Sequence, residues 1–216
     1  MDAVSTRKAK LVYLANPDNP MGTWWNSDVI EAMIDRIPKG TLLLLDEAYG
    51  EFADYSLTKM AKTQDNLIVV RTLSKSFGLA GLRLGYFVAN KKFAEVFMNV
   101  LQYPYPLSTI TIESGILALE KVDLMYDAAD LIKSERKRII ENLRKYDAFE
   151  VFDSKANFVL FDAFDSYKRV YSALAEQGIS IRKLGKIGNH TGCLRVTIGT
   201  KEMNSKFLLA IRDLLG

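Results

Sequence analysis

Residues 41–49 read Thr-Leu-Leu-Leu-Leu-Asp-Glu-Ala-Tyr, four consecutive leucines that run straight into two carboxylates. A short run that is apolar at every position suits a strand covered on both faces, as strands of parallel sheets are. Two similar runs flank it, Leu11 to Ala15 and Leu67 to Val70. Between the first two, Val29, Ile30, Met33, Ile34 and Ile37 recur at helical spacing, with Ser27 as the expected N-cap and Pro38 and Gly40 as the stop. Strands separated by a helix are joined by crossovers and so pair in parallel. The chain is therefore expected to open as an α/β layer. Leu84 to Ala89 predicts a further strand, and Lys91 to Gln102 a helix stopped by Tyr103-Pro104-Tyr105-Pro106.

From Thr109 the pattern changes to two long helices, Thr109 to Lys121 and Met125 to Lys145. Beyond them the sequence predicts strands at Phe149–Phe152, Phe158–Phe161, Ile179–Arg182 and Cys193–Ile198, a helix at Tyr167–Gln177 and a closing helix from Lys201. This divides the chain into residues 1–108, a mainly parallel sheet with helices on both faces, and residues 109–216, a smaller α+β domain that includes the linking helix. Each half has a usual domain size. Lys133 to Lys145 carries six basic and two acidic side chains around an apolar stripe of Ile139, Ile140 and Leu143, which reads as a solvated helix face.

Apolar residues make up 49% and charged residues 25% of the 216, with a net charge of +3, so collagen-like and wholly disordered classes are excluded. The mildly basic balance shows no clustered patch for nucleic acid. No segment approaches the ~20 apolar residues that span a bilayer, and cytoplasmic residence is the expectation. With a single cysteine, Cys193, and a single histidine, His190, an internal disulfide, a cysteine metal cage and a Ser-His-Asp triad all lack their parts. Both residues read as a glycine-bounded surface loop, and no metal pattern is legible.

In open α/β sheets ligands bind beyond the carboxyl ends of the strands. Those ends carry Asn16-Pro17-Asp18-Asn19-Pro20-Met21-Gly22, Asp46-Glu47-Ala48-Tyr49 and Arg71-Thr72-Leu73-Ser74-Lys75. Each has an ordinary structural explanation alone, as turn, cap or surface lysine. Together they bring an amide, a carboxylate, a phenol and an amine to one sheet edge. Pyridoxal phosphate needs this set: a lysine for its aldehyde, a carboxylate for its ring nitrogen, and a cluster of donors for its phosphate. Lys75, Asp46, and the group Thr72, Ser74 and Arg83 fill those roles, while Asn19 and Tyr49 remain for the 3′ oxygen. Gly78, Gly81 and Gly85 lack the GxGxxG spacing of a dinucleotide turn, and no GxSxG elbow surrounds Ser74.

In this order, NPDNPMG, LLLLDEAYGEF, RTLSKSFGLAGLRLGY, ANFVLF and GCLRVTIGT resemble the fold-type I, pyridoxal-phosphate-dependent aminotransferases, and among them most resemble the histidinol-phosphate aminotransferases. The resemblance runs from about Lys10 to Gly216. It implies that Lys75 forms the Schiff base, Asp46 contacts the pyridine nitrogen, Asn19 and Tyr49 contact the 3′ oxygen, and Thr72, Ser74 and Arg83 bind the phosphate. It further implies that Arg195 grips the substrate carboxylate, that Arg182 helps bind a substrate phosphate, and that Asn157 supports the site. Residues 1–108 would then be the C-terminal part of the cofactor-binding large domain. The implied partners are a small amino donor and a 2-oxo acid, and the implied full-length form is a homodimer.

Such proteins begin with a long N-terminal segment, whereas Met1 here lies just before the strand leading to NPDNPMG. With that segment would come a helix N-terminus for the phosphate, an aromatic ring over the pyridine, and tyrosines that close on the substrate. The chain alone is accordingly expected to bind the cofactor weakly. Met21 stands where threonine is usual. Two rival activities share the motifs, a threonine-phosphate decarboxylase-like lyase and an aromatic aminotransferase. A non-catalytic fragment that binds a partner chain is a third alternative.

Overall fold

The computed structural model describes residues 2–216, which form two compact units. The first comprises the residues through Asp18 and Trp24–Ala128, and the second Asn19–Thr23 and Ala129–Gly216.

In the first unit α1 (Asp2–Thr6) precedes β1 (Leu11–Ala15), α2 (Ser27–Arg36), β2 (Leu42–Asp46), α3 (Thr58–Ala61), β3 (Leu67–Thr72) and β4 (Gly85–Val88). The sheet runs in the order β1-β2-β3-β4. Its first three strands are parallel, Leu44 lying between Tyr13 and Ile68, and β4 is antiparallel to β3. Alternate residues of β2, Leu43 and Leu45, are fully buried beneath Ile30, Ile34 and Ile37 of the α2 segment and beside Leu67 and Val69. Removing the side chain of one such leucine costs about 2–5 kcal/mol. On the other parity Leu11 and Tyr13 of β1 are exposed. α4 (Lys91–Val96) continues as a π turn over Phe97–Leu101 and stops at Gln102. α5 (Thr109–Glu120) buries only Gly115, where an added Cβ would lie 2.5 Å from Leu84 Cδ2. α6 (Val122–Leu143) then passes into the second unit.

The second unit holds β5 (Glu150–Val151), β6 (Phe158–Asp162), α7 (Tyr167–Glu176), β7 (Arg182–Ile187), β8 (His190–Thr197) and α8 (Lys201–Leu215). Its antiparallel sheet has the order β5-β6-β8-β7. Ile139 and Leu143 of α6, Val170 and Leu174 of α7, and Phe207 and Ile211 of α8 pack with Val159, Phe161 and Leu194 of the sheet.

Four local expectations are corrected. Asn26, not Ser27, is the N-cap of α2, and Ser27 instead bonds Asp28 at 3.1 Å. The strand expected at Ile179–Arg182 begins at Arg182, because the two-residue turn Gly188–Asn189 pairs Ile187 with His190 and zips the hairpin from there. His190 and Cys193 therefore belong to β8, not to a surface loop, and Cys193 is fully buried. Finally, the basic stretch of α6 is not wholly solvated. Glu135 and Arg136 are both buried, Glu135 between Arg138 and Asn204 at 2.6 and 2.8 Å, and Arg136 on the Ala156 carbonyl at 2.7 Å.

Candidate active site

The parallel register places the candidate residues of the first unit. Asp46, the last residue of β2, pairs with Val70, and β3 runs two residues further to Thr72, so the segments that follow the two strands leave the same end of the sheet. Asp46 turns its own segment: its Oδ1 accepts the Ala48 amide at 2.9 Å. Its Oδ2 accepts the hydroxyl of Tyr13, from β1, at 2.5 Å. That bond, with partial burial and the Asp46 charge, pushes the Tyr13 phenol up to about 12. Tyr49 is buried, and the exposed Lys75 extends its Nζ to 5.4 Å from the Tyr49 ring centroid.

Around Lys75 the donors are local. Thr72 Oγ1 lies 2.9 Å from Ser74 Oγ, and the Ser74 amide donates to Thr72 Oγ1 at 3.1 Å. Arg83 sits in the left-handed region at φ 55°, its Nη1 on the Ala80 carbonyl at 3.2 Å. An arginine held there costs about 1–3 kcal/mol, a strain typical of functional turns. Ser76 Oγ is buried with no partner among the described residues.

Beneath this edge lies an ionic cluster that the sequence reading missed. Arg71 donates to Glu47 at 2.7 Å and to Glu51 at 2.8 Å, while Glu47 also accepts from Ser56 Oγ at 2.6 Å and from the Leu57 amide at 2.8 Å. Burial alone would pull the Arg71 guanidinium down, but Glu51 and Glu47 outweigh it and hold it above its ordinary value. The cluster ties the Tyr49 segment to β3. A Cβ at Gly50 would lie 2.9 Å from Arg71 Nη1, so glycine lets the guanidinium approach.

Further candidate residues lie in the second unit. Arg195 donates to Asn19 Oδ1 at 2.7 Å and stacks 4.5 Å from the Phe158 centroid, and its Nε is buried with no partner among the described residues. Arg182 faces Arg195 directly across the β7–β8 pair. The segment holding Asn19 is fastened by the Lys155 amide on the Gly22 carbonyl at 2.8 Å. Gly22 has φ +77° and no room for a Cβ against Ser154. Asn157 accepts the Ile198 amide through its backbone carbonyl at 2.9 Å, and its neighbour Ala156 is the one held by Arg136. Elsewhere in this unit His190 Nδ1 lies 3.2 Å from Glu150 and 3.7 Å from buried Asp162, whose oxygens accept the amides of Phe164, Thr191 and Gly192.

Comparison with known proteins gives the family. The family model for aminotransferase class I and II matches residues 1–211. The chain belongs to the class I and II aminotransferases. The enzymes of this family use pyridoxal phosphate. This aminotransferase chain is 36% identical over 213 residues to histidinol-phosphate aminotransferase 2 of Archaeoglobus fulgidus, covering 99% of this chain and 60% of the relative. It is 37% identical to the histidinol-phosphate aminotransferase of a Thermoanaerobacter species over 208 residues, 95% of this chain and 57% of that one. The crystal structure of histidinol-phosphate aminotransferase from Sinorhizobium meliloti in complex with pyridoxal-5′-phosphate superposes with a TM-score of 0.84 at 32% identity, covering 99% and 60% of the two chains. A decarboxylase from Sulfurospirillum multivorans gives a TM-score of 0.84 at 26% identity, covering 100% and 64%. The chain thus spans about 60% of the length of the curated relatives it matches.

Proposed function

We propose that the chain carries the cofactor lysine and the substrate arginines of a pyridoxal-phosphate-dependent transaminase that takes histidinol phosphate as amino donor and 2-oxoglutarate as acceptor, a step of histidine biosynthesis. The observation that carries this reading is the exposed Lys75 amine held 5.4 Å from the Tyr49 ring, beside the turn that Asp46 begins. The residues fit the group. Lys75 offers an amine, Asp46 keeps a free lone pair on each oxygen, and Thr72, Ser74 and Arg83 offer donors to an anion. Pyridoxal phosphate, when bound, supplies an aldehyde that captures amines and an electron-withdrawing ring.

The chain's own groups do the rest. Lys75 would hold the cofactor through its amine, and the same amine would serve as the base that takes the proton from the substrate Cα. Asp46 holds the proton on the ring nitrogen. Asn19 and Tyr49 hydrogen-bond the 3′ oxygen. Arg195 meets the substrate carboxylate fork to fork, a geometry lysine lacks, and Asn157 supports it from the bend before β6. Arg182 takes the phosphate of the donor. Two arginines directly opposite on one face repel each other, and a donor with two anionic ends relieves that repulsion. This supports a phosphorylated donor over an aromatic amino acid. The enzyme works as a homodimer in the cytoplasm on small molecules, with no nucleic-acid or membrane partner, a reading that rests on the family resemblance.

The test is product analysis on the longest reading frame that contains these residues, given pyridoxal phosphate, histidinol phosphate and 2-oxoglutarate. Glutamate formation is expected. Release of carbon dioxide from a phosphorylated amino acid would instead indicate the lyase. Transamination of aromatic amino acids in preference to histidinol phosphate would indicate the aromatic enzyme. Failure to bind cofactor, with capture of a partner chain, would indicate the non-catalytic fragment.

A further inference from the structure

We propose that Tyr13 is a positioning residue for Asp46, fixing the carboxylate that faces the ring nitrogen; the inference rests on the cofactor reading above. Tyr13 pairs with Leu44, so it stands one strand over from Asp46 and two residues short of it, on the same face of the sheet. From there its hydroxyl reaches Asp46 Oδ2 at 2.5 Å, while the Ala48 amide holds Oδ1 at 2.9 Å. One donor on each oxygen fixes the rotation of the carboxylate about its Cβ–Cγ bond, and each oxygen keeps a further lone pair. Ala48 alone would anchor only one of the two oxygens. The phenol also keeps its proton: chiefly through the Asp46 bond it titrates at about 12, so it remains a donor at any working pH.

The chemical consequence follows from charge. A well-aligned Asp46 keeps the ring nitrogen protonated, and a positive ring disfavours a second proton on the nitrogen that joins Lys75 to the cofactor. Loosening Asp46 weakens that effect, so the joining nitrogen takes its proton at a higher pH.

The experiment has two arms, both in the longest reading frame that contains these residues. In the first, the absorption band of the Lys75–cofactor linkage is titrated with pH for the parent, Tyr13→Phe, Asp46→Ala and the double variant. Tyr13→Phe should raise the midpoint by about half a pH unit or more, and should have no further effect in the Asp46→Ala background. In the second arm, without cofactor, ultraviolet titration should show one tyrosine with a midpoint near 12 that is absent in Tyr13→Phe and falls toward 10.0 in Asp46→Ala. An unchanged band midpoint in Tyr13→Phe, or an equal shift with Asp46 already removed, would overturn the proposal even with cofactor bound. Absence of the band altogether would overturn the cofactor reading and this inference with it, whereas the second arm shows separately whether the Tyr13–Asp46 bond exists.

Discussion

Asp46 receives two protein donors and has no ion pair among the described residues, while Arg71 is engaged by Glu47 and Glu51. On the proposed function, replacing Asp46 by Ala should lower kcat by orders of magnitude while cofactor affinity falls far less, since Thr72, Ser74 and Arg83 would remain to hold the phosphate. A mere helix or turn cap would cost about 1 kcal/mol of stability and leave turnover intact. Arg195→Lys should raise KM for every amino donor, whereas Arg182→Ala should raise it only for phosphorylated donors. Equal effects of Arg182→Ala on phosphorylated and plain donors would remove the case for histidinol phosphate. Tyr13 also gives a pH dependence. Its pKa is raised from 10.0 to about 12 in the fold, so its contribution to stability is complete below pH 10 and is lost as pH rises through about 12. Alkaline unfolding followed by circular dichroism should show that loss, and Tyr13→Phe should flatten it.

Among the elements, the turn after β2 depends on a charge from the next strand. Arg71→Ala would strand Glu47 and Glu51 together in a buried place, where breaking such a pair costs about 3–5 kcal/mol. Urea unfolding should register that loss, together with weaker cofactor binding as the Tyr49 segment loosens; a variant as stable as the parent would show the cluster to be ornamental. This cluster was not legible in the sequence, for it joins residues up to 24 positions apart through the β2–β3 register. Runs such as Leu42–Leu45 were legible, because continuous apolarity between turn formers reports burial on both faces without any knowledge of neighbours. The Tyr13–Asp46 bond escaped for the same reason as Arg71: Tyr13 reads as one more strand aromatic until β1 and β2 are aligned. β7 was misplaced because Ile179 and Ile181 look like a strand, whereas the Gly188–Asn189 turn decides where pairing begins. In α6 the charges at Glu135 and Arg136 looked solvated because their partners, Asn204 and the Ala156 carbonyl, lie far along the chain.

At the scale of the whole molecule, exposed apolar groups concentrate in the first unit. Leu11 and Tyr13 on β1 and Ile110, Ile116, Leu117 and Leu119 on α5 are all exposed. The 216 residues alone should therefore bind an apolar dye and hold pyridoxal phosphate weakly, and a longer reading frame should diminish the dye signal and tighten cofactor binding. Equal cofactor affinity in the two would show that these residues are sufficient for the site. The most direct measurement on the central claim is reductive trapping. The protein is incubated with pyridoxal phosphate, reduced with borohydride, digested and mapped by mass. The account predicts one dominant label, on Lys75 beside Tyr49. Label spread evenly over the lysines, or dominant on another lysine, would contradict it.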